Sequence, residues 1–157
     1  MAKFCRCILI FLIIINCTVI FSFSSQKSEK SSETSGRVIE RIVETNPKTK
    51  NLSKAEKEKK KIELIGPVRK TAHFTVYTML GTLLYLCAKT FEGKEKNKIL
   101  ISIILACLYA CTDEIHQLFV SGRSGEIRDV LIDTTGATFG IVIVYVISKI
   151  RFKVKNR

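Results

Sequence analysis

Four apolar runs constrain this chain more than anything else: residues 7–23 (CILIFLIIINCTVIFSF), 71–88 (TAHFTVYTMLGTLLYLCA), 99–111 (ILISIILACLYAC) and 130–148 (VLIDTTGATFGIVIVYVIS). A helix that crosses the hydrocarbon core of a bilayer needs about 17–25 predominantly apolar residues. The runs therefore predict an all-α integral membrane bundle of four transmembrane helices with a polar 24–66 connection. A positive mean hydropathy coexists with 26 basic and 14 acidic residues in 157, so the apolar content has to be gathered in blocks. Much of the net charge of +12 flanks those blocks. There it suits anionic headgroups, and the lipid bilayer rather than nucleic acid is the expected partner.

In chain order, residues 1–23 read as a first transmembrane helix. Lys3 and Arg6 precede the apolar run, and Ser22 and Ser24 are small residues placed as before a signal-peptide cleavage point. The run is longer than the usual apolar core of a signal peptide, so a retained anchor is expected. Residues 24–66 form a polar connection, partly disordered or surface-helical. Its first forty residues are rich in Lys, Glu, Ser and Thr and contain no aromatic, so it cannot bury a core of its own. Residues 52–64 read as a solvated helix laced with Glu and Lys, and Gly66 and Pro67 are expected to end it and open the next helix. Residues 67–150 make the core, with helices near 70–89, 99–119 and 129–149, and residues 151–157 form a basic tail. The six cysteines show no CxxC or Cys/His spacing and read as small apolar side chains.

Acidic and basic groups interrupt the apolar runs in one region. Asp113, Glu114, His116 and Gln117 end the third run, Asp129 and Asp133 begin the fourth, and a short connection (VSGRSGE, residues 120–126) carries Arg123 between two glycines. Ionisable groups at membrane depth are costly and normally functional. Arg69, His73, Tyr77 and Gly81 recur at i, i+4 spacing and so share one face of the second span. Asp113 shares a face with Tyr109, Ala110, His116 and Gln117, while Glu114 is turned away by roughly a quarter turn. Asp129 and Asp133 lie one turn apart, and Gly136, Ala137 and Gly140 continue their face as a small-xxx-small stripe suited to close helix approach. Such a stripe also allows a second copy of the chain as a partner.

If the four spans alternate, the start of the second, the end of the third and the start of the fourth lie on one side of the membrane. Basic flanks at Lys3 and Arg6, at Lys89, Lys94, Lys96 and Lys98, and from Lys149 to Arg157 place both termini in the cytoplasm by the positive-inside rule. The polar groups then converge near the outer surface.

Three segments in order, FSFSSQKSEKSSETS from Phe21, RKTAHFTVYTMLGTLLY from Arg69 and TDEIHQLFVSGRSGEIRDVLIDTTGATFG from Thr112, resemble the signature segments of the VanZ-like membrane protein family. The resemblance implies a multi-pass cell-membrane protein of the envelope, similar to one associated with low-level resistance to the glycopeptide teicoplanin. An envelope precursor or a glycopeptide-related target is then the implied partner.

Several functional classes stay open on the residues alone. A non-enzymatic envelope protein would limit glycopeptide access to its target. A membrane enzyme would act on a lipid-linked or envelope substrate, with His73, Asp113, Glu114 and Asp129 as candidate catalytic groups. Arg69, Gln117, Arg123 and Asp133 are the candidates for binding its substrate. An ion-coupled translocator would use the same acids. The purely architectural alternative has Arg69 and Arg123 neutralising the carboxylates to hold the helices in register. The sequence assigns no cofactor and no metal site, although the oxygens of Asp113, Glu114, Asp129 and Asp133 suit a hard divalent cation.

Overall fold

The computed structural model describes residues 2–26 and 28–155, so Arg157 of the basic tail lies outside the described residues. Five helices account for nearly all of it: α1 (Ala2–Ser24), α2 (Ser28–Thr45), α3 (Lys54–Lys89), α4 (Glu95–Gln117) and α5 (Ile127–Lys155). No strand occurs among the described residues. Three helices, α1, α4 and α5, are long and apolar enough to cross a membrane. Their outward faces carry Phe11, Ile104, Leu108, Leu131 and Val142, all well exposed, as a surface turned to lipid requires.

The expected fourth span lies in α3, which does not reach that apolarity. Thr71, Thr75, Thr78 and Thr82, together with His73, Tyr77 and Tyr85, dilute its apolar half. The reason is positional. α3 packs against each of the other four helices and buries Tyr77, Leu80, Gly81, Leu83 and Tyr85, so protein, more than lipid, surrounds it. The threonine hydroxyls are satisfied within the helix: Thr71, Thr75 and Thr78 each donate to the carbonyl four residues earlier.

α3 also begins earlier than composition predicts and continues through Gly66 and Pro67 without a break. Proline removes one amide donor from a helix interior. Pro67 is exposed, so water can serve the carbonyl that loses its partner. The start is fixed by a capping box at Ser53, whose backbone N–H donates to Glu56 Oε2 at 2.9 Å while Oγ accepts from the Glu56 N–H at 3.4 Å. At 36 residues α3 is about 54 Å long, well beyond the roughly 30 Å hydrocarbon core. Its charged first third extends beyond the apolar part and pairs with α2. Ile39 and Val43 are fully buried, and Lys61 reaches Glu40 at 3.6 Å. Residues 28–66 are thus mostly a helical hairpin in which α2 packs on α3 and buries Ile39 and Val43, which the composition of the segment does not predict.

Three glycines set the central contact. A Cβ placed on Gly81 would lie 2.1 Å from the Ala137 carbonyl oxygen, one on Gly136 would lie 2.5 Å from that of Phe74, and one on Gly140 would lie 2.1 Å from that of Thr78. The backbones of α3 and α5, which run parallel, touch directly. The small-residue stripe at Gly136 and Gly140 is therefore taken up inside the chain, and a second copy would have to use another face.

Polar ties fix both ends of the bundle. At one end Arg6 donates to the Thr90 hydroxyl (3.0 Å) and carbonyl (2.7 Å), its guanidinium lies 3.7 Å from the Phe91 ring centre, and Lys89 donates to Ser148 Oγ at 2.6 Å. The start of α1, the end of α3 and the late part of α5 meet there. The end of α1, the middle of α3, the end of α4 and the start of α5 meet at the other.

Candidate functional site

Helix register builds the polar site. The Gly81–Ala137 and Phe74–Gly136 contacts fix α5 against α3, and one turn before Ala137 this brings Asp133 to His73. His73 Nδ1 lies 3.6 Å from Asp133 Oδ2. α4 adds Asp113, and one donor atom from each of His73, Asp113 and Asp133 lies within 4.8 Å of the other two. Asp133 is 0 % exposed and Asp113 4 %, yet among the described residues neither oxygen of Asp133 has a hydrogen-bond partner. The Tyr77 hydroxyl, one turn along α3 from His73, is likewise buried without a partner.

The other acids are engaged elsewhere. Glu114 Oε2 accepts the Glu126 N–H at 2.8 Å and Oε1 accepts from Gln117 Nε2 at 2.9 Å. The same amide nitrogen donates to Asp113 Oδ2 at 3.2 Å, so Gln117 links the two acids. Asp129 pairs with Lys70 at 3.1 Å. Of the residues the sequence singles out, His73, Asp113 and Asp133 form the centre, with Gln117 and Glu114 beside them and Asp129 on a separate ion pair. Arg69 and Arg123 form no ion pair among the described residues and line a neighbouring cleft.

Arg123 belongs to a tight connection in which Gly122 takes φ +76°, a left-handed conformation that favours glycine. The following Gly125 passes so close to α4 that a Cβ would lie 2.8 Å from the Glu114 carbonyl oxygen. The connection folds back over α1, and Arg123 donates to the Gln26 carbonyl (3.2 Å), the Phe23 carbonyl (3.1 Å) and Gln117 Oε1 (3.4 Å). A cation on the last carbonyls of a helix is where its macrodipole favours one. Burial, then the like charge of Arg69, lowers the Arg123 pKa from its ordinary value, while Asp113, Glu114 and Asp129 pull it upward. Arginine is basic enough to stay charged throughout.

The cleft holds about 190 Å³ between α1, α2 and α3. Ile20, Phe23, Val38, Val68 and Val76 make its apolar wall, and Arg69, Arg123 and His73 make its polar one. His73 thus faces the cleft and the buried acids together. Ligand pockets that enclose a whole drug-sized molecule measure about 300–1,000 Å³, so this cleft suits one part of a larger molecule.

Sequence reasoning passed over some of the site. Lys70 is not singled out, although it lies three positions before His73 and Asp129 lies four before Asp133. Tyr77 appears only as a member of a helix face. Ser25 lies in the Phe-Ser-Ser-Gln stretch that ends α1 within the segment from Phe21, and its Oγ lies 3.1 Å from His116 Nε2, whose ring stacks on Phe21 at 4.5 Å. That ending docks α1 onto α4. Replacing Gln117 with Leu removes the amide shared by Asp113 and Glu114, and is expected to destabilise the protein by about 1–3 kcal/mol. Circular-dichroism melting in detergent reads the loss.

Apolar helices around a buried acid–histidine centre define a multi-helix membrane protein. Residues 9–148 match the VanZ/LLP1 family model, and the chain belongs to that family. No curated protein and no solved structure matches it.

Proposed function

We propose that this VanZ/LLP1 chain is a cell-membrane protein that binds an anionic, lipid-linked envelope component in the cleft beside His73, and so contributes to low-level tolerance of the glycopeptide teicoplanin. The observation that carries this reading is the pairing of an apolar wall with Arg69 and Arg123 in one cleft. An acyl or polyprenyl segment suits the wall, and two guanidiniums suit the oxygens of a phosphate or carboxylate. His73, backed by Asp133, is the group in that cleft able to move a proton to or from the bound component. In this reading His73 and Asp133 carry any chemistry, Arg69 and Arg123 bind, and Asp113, Glu114 and Gln117 hold the acids in place.

The same reading takes α3 as a fourth crossing enclosed by α1, α4 and α5. Both termini are cytoplasmic, since Lys3, Arg6, Lys94 and Lys149 flank one end of the bundle. The cleft then opens toward the outer leaflet.

Complementation tests the proposal. A deletion strain carrying the wild-type gene is expected to recover its teicoplanin tolerance. Strains carrying His73→Ala or Arg69→Ala, with membrane abundance matched by immunoblot, are expected to stay as susceptible as the deletion. Full recovery with both variants would remove the site from the function. An unchanged phenotype on deletion would remove the teicoplanin role itself.

A further inference from the structure

The geometry points to a divalent transition-metal site formed by His73 of α3, Asp113 of α4 and Asp133 of α5. Three observations carry it. The first is distance. Metal–ligand bonds of about 2.0–2.2 Å put neighbouring ligands of a tetrahedral ion about 3.4 Å apart. His73 Nδ1 and Asp133 Oδ2 are already 3.6 Å apart, and the three donors fall within 4.8 Å of one another, so side-chain adjustment alone closes the set.

The second is charge. Asp113 and Asp133 are both buried, and two carboxylates this close resist joint ionisation. One imidazolium offsets only one of them, whereas a dication held by neutral His73 and two carboxylates leaves the buried group with no net charge. The unpartnered oxygens of Asp133 and the unpartnered Tyr77 hydroxyl are the groups that such an ion and its bound water would satisfy. Gln117 Nε2 donates to Asp113 Oδ2 at 3.2 Å, an outer hydrogen bond of the kind that orients a metal-ligating carboxylate.

The third is selection among the acids. Glu114 accepts from Glu126 and Gln117, Asp129 is ion-paired with Lys70, and neither joins the three donors that lie within 4.8 Å, so an all-carboxylate set is not assembled and the histidine takes its place. Imidazole suits zinc and other late transition ions, and carboxylates suit manganese. One nitrogen and two oxygens therefore favour Zn²⁺ or Mn²⁺ over Mg²⁺ or Ca²⁺, and three protein ligands leave positions open for water or an oxyanion. Because His73 also lines the cleft, the ion would lie beside the group that Arg69 and Arg123 face, and with Nδ1 on the ion His73 would hold the metal there instead of moving a proton. The site does not depend on the identity of that group, since metal is measured on the resting protein.

The test uses the full chain purified in detergent without chelator. Elemental analysis is expected to find about one Zn²⁺ or Mn²⁺ per chain. EDTA dialysis is expected to lower the circular-dichroism melting midpoint, and adding back Zn²⁺ or Mn²⁺ to restore it. His73→Ala and Asp133→Asn are each expected to weaken binding by more than about 100-fold, while Asp129→Asn keeps the ion. Asp113→His preserves three donors and guards against misfolding as an explanation. It is expected to retain an ion and to shift preference toward Zn²⁺. Wild-type protein with no ion above the buffer blank and no midpoint response to either metal overturns the proposal. So does an ion that persists in both His73→Ala and Asp133→Asn. Metal present in a strain whose teicoplanin tolerance is unaffected by the chain would leave the ion site standing and remove only the functional reading.

Discussion

Gly140→Val is expected to remove the folded protein from the membrane. The first added carbon would stand 2.1 Å from the Thr78 carbonyl oxygen and 2.7 Å from Thr82 Oγ1. A rotamer change relieves a side-chain clash, but backbone oxygen in the middle of a helix cannot move aside. The helices must separate by more than an ångström, and separation also loosens the Gly136–Phe74 and Gly81–Ala137 contacts on the same line. Overpacking of a core typically costs about 1–3 kcal/mol, and a clash with fixed backbone belongs at or above the top of that range. That is a large part of the stability of an ordinary domain. A fluorescent fusion followed by size-exclusion chromatography should show the monodisperse peak of wild type collapse into aggregate. Gly36→Val is the matched control, because a Cβ at Gly36 meets nothing within 4 Å. A normal peak for Gly140→Val would mean that α3 and α5 do not touch as described.

The second large effect is expected at Arg123. Its guanidinium holds the Phe23 carbonyl at the end of α1, the Gln26 carbonyl just beyond it and the Gln117 side chain together, so Arg123→Ala undoes three hydrogen bonds at once. Hydrogen bonds to charged groups are each worth about 1.5–3 kcal/mol, and losing several from a part-buried position should cost about 3 kcal/mol or more. Arg123→Lys should rescue only partly, because an ammonium is a point charge and cannot span three acceptors on two elements. The readout that separates this from a general loss of stability is local. Trypsin should cut the 24–52 segment faster in Arg123→Ala than in wild type, while the α3–α5 contact, which lacks Arg123, survives. Equal cutting rates would show that the end of α1 is held without Arg123.

How much of this the sequence displays depends on the range of the interaction. The apolar runs are visible because lipid imposes them residue by residue, and the convergence of polar groups follows from counting crossings. The segments from Phe21, Arg69 and Thr112 were also sufficient to suggest the family whose model matches residues 9–148. Pairings are another matter. Asp129 and Asp133 look alike in the sequence, yet one meets Lys70 and the other His73, a difference set by the register of α5 on α3. Arg123 reads as a neighbour of the acids, because nothing local announces that its main acceptors lie 97 and 100 positions earlier. Pro67 reads as a boundary because helix propensity is a local quantity, whereas the docked α2–α3 hairpin that carries the helix through it is not.

Those sequence separations also set a timetable. The residues that fasten the end of α1 are made about a hundred positions after it, which at synthesis rates of about 5–20 residues per second amounts to roughly 5–20 s. The first helix can pack on α3 before then, but its end stays unclasped. Only when the Gly122 turn has emerged can Arg123 clasp the end of that helix, so the earliest helix is fastened at its far end late in synthesis.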